Sequence, residues 1–449
     1  MITETKKVHG LDFMFAVACY IQSSSLLSSF FASITRQDSW LIVLFALVVC
    51  CPIIWFYSKL IERFPDKNLF SIMQKIYGKY LGKFICAMYL IFFIVLTSLN
   101  LSDLSQFVQA TIMPKTPLIV VSFTFLLTSA WGIYGGGMRQ MVKYGFLMTM
   151  ICLFVVIASI LLTLNVMEFD NFLPILDLNP KKYIQATNIV VTIPICEIVI
   201  FLMTTNQVRT GKHGYFPYIF GGVAIGCFTI LLVIMRDIAV LGNTISLFSL
   251  PSFETLRMVS VTQTLSRMEI VFAFILISLL FFKVTWLYYV TVLSAAHVFR
   301  FQDHRRLILL TGALVVASGF ILYPNPLAHN ESGQKIAPLL WPVFEIILPI
   351  LTLAIAKFRG ITTKQANSNQ QNNSAKTNSN DTTGTQSVPG GKTPTSSNSG
   401  SKGQEKPKSD SSSPSASSGS NGSVKSQSQS HPKPNSSGSG SYQSQSVSS

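Results

Sequence analysis

Charge is scarce in this chain. Asp, Glu, Lys and Arg together make up 12% of its 449 residues, about half the share of an ordinary soluble domain. Metal-ligand spacing is missing too. The seven cysteines (Cys19, Cys50, Cys51, Cys86, Cys152, Cys196 and Cys227) all fall in apolar stretches, without zinc-type pairs or a disulfide framework. They read as buried thiols. No nucleophile–base arrangement is visible, and His213, His297 and His304 sit at or near span ends. Gly132, Gly135, Gly136 and Gly137 lack the strand, the helix start and the lysine of a phosphate loop. These absences argue against an enzyme, a metal centre or a cofactor. The first apolar stretch is too long for a signal-peptide core and has no small-residue cleavage site, so it reads as a retained helix.

What is present is hydrophobic length. Residues of hydrophobic type make up 49% of the chain, and runs of about 20 apolar residues, enough to cross a bilayer, recur from Leu11 to Phe358. The pattern predicts ten spans, near 11–34, 39–61, 82–103, 117–135, 143–166, 184–206, 215–241, 269–297, 306–323 and 337–357. With the N-terminus inside, the cytoplasmic segments hold 18 Lys/Arg and the outer ones 8. That asymmetry orients both termini to the cytoplasm. It also explains the net charge of +15 without nucleic acid. Between spans seven and eight, residues 242–268 carry Pro251, Phe253, Leu256 and Met258 among polar residues, the pattern of either a short interfacial helix or a packed loop.

After Lys364 the composition changes. No Leu, Ile, Phe, Met or Trp occurs up to Ser449, and Ser, Asn, Gln, Gly and Pro dominate. Such a segment cannot bury enough apolar area to offset its ordering entropy. The expected organisation is a membrane domain over 1–362 and a disordered cytoplasmic tail over 363–449.

Two spans carry interruptions at corresponding places. Ile21-Gln22-Ser23-Ser24-Ser25 lies in the first span and Pro194-Ile195-Cys196-Glu197 in the sixth. Breaks free backbone polar groups that lipid cannot satisfy. A matched pair of them points to a midplane binding site in an inverted-repeat transporter. The expected fold is therefore an all-α integral membrane protein, ten helices in a five-plus-five inverted repeat, with helices one and six interrupted. Glu197 is the most informative residue, since a carboxylate inside a span costs roughly 2.5–3.5 kcal/mol on insertion scales. It is a candidate to meet a ligand ammonium, hold a cation or exchange a proton. Lys283, near the middle of span eight, is a candidate fixed charge in place of a bound sodium ion, or a pairing partner for Glu197 or another acid. Gln22, Ser23, Ser24, Ser25, Pro194, Cys196 and Tyr288 complete the candidate ligand site. Tyr20, Tyr89 and Ser98 are further cavity candidates.

Several stretches together resemble the B-type subunits of spore germinant receptors, a branch of the amino acid–polyamine–cation (APC) transporter superfamily with a LeuT-like fold. They are Gln106-Phe107-Val108 followed by Met113-Pro114-Lys115-Thr116-Pro117-Leu118, then Pro194 and Glu197, Val240-Leu241-Gly242, Leu250-Pro251-Ser252-Phe253-Glu254, Ser266-Arg267-Met268-Glu269 and Phe282-Lys283. The chain departs from that family at Gln106, where an acid is usual, and at Gly137-Met138-Arg139 with Val142-Lys143, where a Gly-x-Glu…Arg pattern is usual. The long tail is also unusual for such a subunit. The resemblance implies a sensor in the spore inner membrane that binds a germinant, commonly an amino acid, between helices one and six. It also implies partners, a large A-type membrane subunit and a C-type lipoprotein. A proton- or sodium-coupled amino-acid symporter is the alternative reading.

Overall fold

The computed structural model describes residues 7–211, 214–260, 268–322 and 331–360. The tail from residue 363, and with it the expected domain boundary, lies outside the described residues, as does His213.

The apolar runs fold into helices because a helix satisfies every backbone N–H and C=O within its own segment, the condition for crossing hydrocarbon. In chain order they are α1 (Gly10–Gln22), α2 (Ser28–Thr35), α3 (Ser39–Arg63), α4 (Leu69–Tyr77), α5 (Lys79–Thr111), α6 (Leu118–Thr163) and α7 (Pro180–Val190). After these come α8 (Phe216–Leu241), α9 (Pro251–Ser260), α10 (Met268–Phe299), α11 (Ile308–Leu322), α12 (Ala337–Pro342) and α13 (Leu348–Phe358). Eight stretches of the described residues are long and apolar enough to span a membrane. The sequence pattern predicts ten spans, and the difference has two causes. Expected spans four and five run together in α6, whose 46 residues would extend about 70 Å as one straight helix, far more than a ~30 Å hydrocarbon core. The stretch is broken at Gly137, with φ 54° and ψ −156°, a conformation open to glycine and costly for other residues. The first expected span is divided at Ser23–Leu27, and its second half joins α3.

Large apolar side chains cover the flanks. Val48 is 72% exposed, Trp131 83% and Leu309 72%, which fits a surface meeting lipid tails rather than water. The core runs through the centre, where α1 is wedged among α6, α8 and α10. Its closest approach to α8 depends on missing side chains: a Cβ at Gly222 would stand 2.5 Å from the Met14 carbonyl oxygen, and one at Gly226 would stand 2.4 Å from Ile21 Cβ. Small residues at such crossings let membrane helices pack backbone to backbone.

Contacts at the two ends are consistent with an antiparallel weave. At one end β1 (Val8–His9) pairs in parallel with β2 (Val208–Arg209), Lys7 pairs with Asp66, and Arg63 Nη2 donates to the Ala356 carbonyl at 3.0 Å. At the other end Asp38 accepts from the Leu176 N–H at 3.2 Å and from the Tyr183 hydroxyl at 2.5 Å. The segment between spans seven and eight contains a helix, α9. Ser252 at its start donates to Asp237 Oδ2 at 2.5 Å. Asp237 also holds Arg236 Nη2 at 2.6 Å, and Arg236 Nη1 donates to Ser159 Oγ at 2.7 Å. Arg236 is counted among outer-loop charges from the sequence; the structure buries it inside the bundle at 2% exposure.

Candidate functional site

Both expected interruptions are present as changes of helix type. At the first, α1 ends at Gln22 and tightens into a 3-10 turn over Ser23–Leu27. Ser23 Oγ donates to the Tyr20 carbonyl at 2.6 Å, so the serine run supplies hydroxyls where the regular ladder changes. At the second, α7 passes into a π-helical turn over Val191–Ile195 and then a 3-10 segment over Cys196–Met203. Pro194 lies in the π turn. It has no N–H to give the Val190 carbonyl, and its ring cannot continue a regular α-helix. Single π turns inside helices recur at functional sites.

The two breaks and α10 bring four side chains together. Lys283 Nζ stands 2.8 Å from Glu197 Oε2 and donates to Ser24 Oγ at 2.8 Å. It also lies 4.9 Å from the centre of the Tyr20 ring. The Tyr20 hydroxyl donates to the same Glu197 oxygen at 2.9 Å. Glu197 is 1% exposed and Lys283 fully buried. The ammonium therefore has a carboxylate, a hydroxyl and an aromatic face around it, which suits its three donors and its charge. Phe201 meets Tyr20 edge-on at 5.4 Å and Trp286 at 4.7 Å, closing an apolar wall around the pair. In such surroundings a carboxylate–ammonium pair is less screened than in water.

A cavity of about 20 Å³ adjoins Glu197, lined also by Asn100, Asp103, Gly333 and Trp341. That volume holds about one water. The conformation is closed, and any larger ligand requires the surrounding helices to move.

A further buried acid packed beside this group, Glu345, escaped the sequence reading. It lies in another π-helical turn, Val343–Ile347, packed against the Cys196–Met203 segment. The signal was available, because an acid between Pro342 and Pro349 interrupts the tenth apolar run as Glu197 does the sixth. The prolines explain the local structure. Pro349 cannot donate to the Glu345 carbonyl, and the Tyr57 hydroxyl does so instead. Pro342 leaves the Pro338 carbonyl without its helical donor, and Asn188 Nδ2 supplies one at 3.0 Å.

Of the other expected residues, Gln22 reaches away to Thr229 Oγ1 at 2.9 Å. Ser25 lines a separate cavity of about 10 Å³ with Ser252 and Phe272. Pro194 lines a different one of about 10 Å³ with Ser24, Phe31 and Cys227, and Cys196 is buried beside Cys50. The Tyr288 hydroxyl donates to the Ile308 carbonyl at 2.5 Å, facing α11 rather than the Glu197 group. Tyr89 donates to the Phe344 carbonyl at 2.6 Å, while Ser98 donates to the Val315 carbonyl at 2.7 Å. Among the described residues, no group of three or more His, Cys, Asp or Glu is placed to hold a metal ion.

Comparison with known proteins is consistent across sequence and fold. A family model described as Spore germination protein (Spore_permease) matches residues 7–325. From Bacillus subtilis strain 168, the putative spore germination protein YfkT is 20% identical over 333 residues, covering 73% of this chain and 89% of that one. Spore germination protein KB is 21% identical over 341 residues, covering 73% and 88%. Spore germination protein YndE is 22% identical over 373 residues, covering 80% and 99%. Among solved structures, the chain resembles the nucleobase-cation-symport-1 family transporter Mhp1 in a closed conformation with bromovinylhydantoin bound. The TM-score is 0.51 at 12% identity, covering 72% of this chain and 74% of that one. At that identity the likeness establishes the fold alone, a LeuT-type transporter fold.

Proposed function

The chain belongs to the Spore_permease family of spore germination proteins, and from that premise we propose that it is the transporter-like membrane subunit of a spore nutrient germinant receptor. It binds a small germinant of the amino-acid class between the interrupted helices and signals to partner subunits instead of catalysing a reaction. The observation that carries this reading is the Glu197–Lys283 pair at 2.8 Å, set where both helices break. A free amino acid is a zwitterion with its own ammonium and carboxylate. Inserted at this point, its ammonium takes over Glu197 and its carboxylate takes over Lys283. One internal ion pair is exchanged for two external ones, so no charge is left buried and unpaired. A partner of single charge would leave either Glu197 or Lys283 uncompensated, at the several-kcal/mol cost of an isolated buried ion.

The cavity beside Glu197, about 20 Å³, is too small for such a ligand. Binding therefore selects a more open arrangement, and it shifts the equilibrium by its differential affinity for the two states. In this reading, an A-type membrane subunit and a C-type lipoprotein receive that shift in the spore inner membrane. Both termini of the present chain lie on the cytoplasmic side. The fold favours a second reading, a proton- or sodium-coupled amino-acid symporter in which Lys283 serves as a fixed cation.

Deletion of the gene separates the two. Spores lacking the chain are expected to lose germination to one class among single amino acids, sugars and nucleosides, with uptake by growing cells unchanged. Normal germination to the whole panel, in a background without other receptors, rejects the sensor reading. Gradient-driven accumulation of a labelled amino acid in proteoliposomes would establish the symporter.

A further inference from the structure

Glu345 is fully buried, yet both of its carboxyl oxygens are without a hydrogen-bond partner. Its backbone is well held: the Tyr57 hydroxyl binds its carbonyl and the Tyr89 hydroxyl binds that of Phe344. The titratable and charged groups around it come from five elements. They are Tyr20 on α1, Tyr57 on α3, Tyr89 on α5, Cys196 and Glu197 on the interrupted sixth span, and Lys283 on α10. Lys283 is the single cation in this set, and its ammonium is taken by Glu197 Oε2 and Ser24 Oγ. The phenol protons of Tyr20, Tyr57 and Tyr89 are likewise committed, to the Glu197 carboxylate and to two main-chain carbonyls.

Glu197 and Glu345 thus share one cation, and Asp103 of α5 adds a further acid across the small cavity from Glu197. An ionised carboxylate buried without donor or counter-ion is so costly that such groups neutralise, and two acids competing for one site divide into one charged and one protonated member. The geometry decides which is which, because Glu197 has the lysine and the tyrosine while Glu345 has neither. We propose that Glu345 is a proton-binding site, its carboxyl protonated in the closed conformation, where Lys283 is held by Glu197. A proton is the occupant this site takes with no added volume, and the cavity beside Glu197 holds about one water. The holding of the proton does not depend on the identity of the germinant.

Infrared spectroscopy of the purified chain in nanodiscs, without ligand, tests this directly. At neutral pH the wild type is expected to show a protonated carboxylic C=O band that shifts in heavy water. Glu345→Gln, which mimics the neutral acid, should accumulate normally and lose the band. Glu345→Asp should move it from the glutamic to the aspartic acid position. That shift places the proton on residue 345, whereas simple loss of a band would not separate Glu345 from its coupled neighbour Glu197. Absence of the band in the wild type overturns the proposal, and so does a band that keeps its glutamic position in Glu345→Asp. Neither result bears on whether an amino acid binds, which the germination assay reads separately.

Discussion

Lys283 Nζ and Glu197 Oε2 meet at 2.8 Å with both side chains closed off from solvent, and this pair ties the break in the sixth span to the middle of α10. Breaking a buried pair by removing one member costs about 3–5 kcal/mol, because the other charge is left uncompensated. Lys283→Met is therefore expected to lower thermal stability by about that amount. The double variant Lys283→Met/Glu197→Gln should recover most of it. Thermal unfolding of the purified variants checks this, and equal losses in the single and double variants would show that the pair has no mutual dependence.

Tyr20 supplies both a ring to the ammonium and a hydroxyl to the carboxylate. Tyr20→Phe keeps the ring and removes the hydrogen bond, which to a charged acceptor contributes about 1.5–3 kcal/mol. The expected outcome is a membrane-inserted protein with reduced stability and a shifted germinant dose–response. A variant indistinguishable from wild type in both would show that the hydroxyl is dispensable.

The crossing of α1 and α8 depends on Gly226, where a new Cβ would meet Ile21 Cβ at 2.4 Å. Overpacking of this kind costs about 1–3 kcal/mol, so Gly226→Ala should reduce accumulation or melting temperature. Gly132→Ala serves as the comparison, since nothing lies within 4 Å of its Cβ position and alanine is the better helix former. The order of the two melting temperatures is the readout.

Ser252 fastens α9 to Asp237 at 2.5 Å. Ser252→Ala removes that charge-assisted hydrogen bond and is expected to cost about 1.5–3 kcal/mol locally. Hydrogen exchange across 251–260 should rise while exchange in α10 stays as it was. No change within α9 would mean that its apolar contacts alone hold it down.

Much of this arrangement is legible in the sequence. The serine run at 23–25 and the Pro194–Glu197 segment mark both breaks because neither suits a regular membrane helix, and Glu197 and Lys283 declare themselves as charges inside apolar runs. Which hydroxyl accompanies them is set by helix rotation, which periodicity does not fix. Ser24 joins Lys283 while Ser25, one residue on, lines a different cavity. Tyr288 faces α11 for the same reason. Arg236 resembles a loop charge because it lies near the end of its span, and only packing shows it paired with Asp237. The expected spans end at 135 and resume at 143, on either side of Gly137, so the break there was legible, although composition gives no sign that its φ is positive. Glu345 was legible by the same test that found Glu197, although its nearness to Glu197 and Lys283 is a tertiary fact.

In the proposed function Glu197 receives the germinant. Spores lacking this chain, complemented with wild type or with Glu197→Gln at matched membrane levels, test it in one dose–response experiment using the nutrient whose response the deletion abolishes. The variant is expected to need a markedly higher nutrient concentration for half-maximal germination, or to fail to respond. A curve superimposable on the wild type would contradict it and leave Glu197 as a structural partner of Lys283.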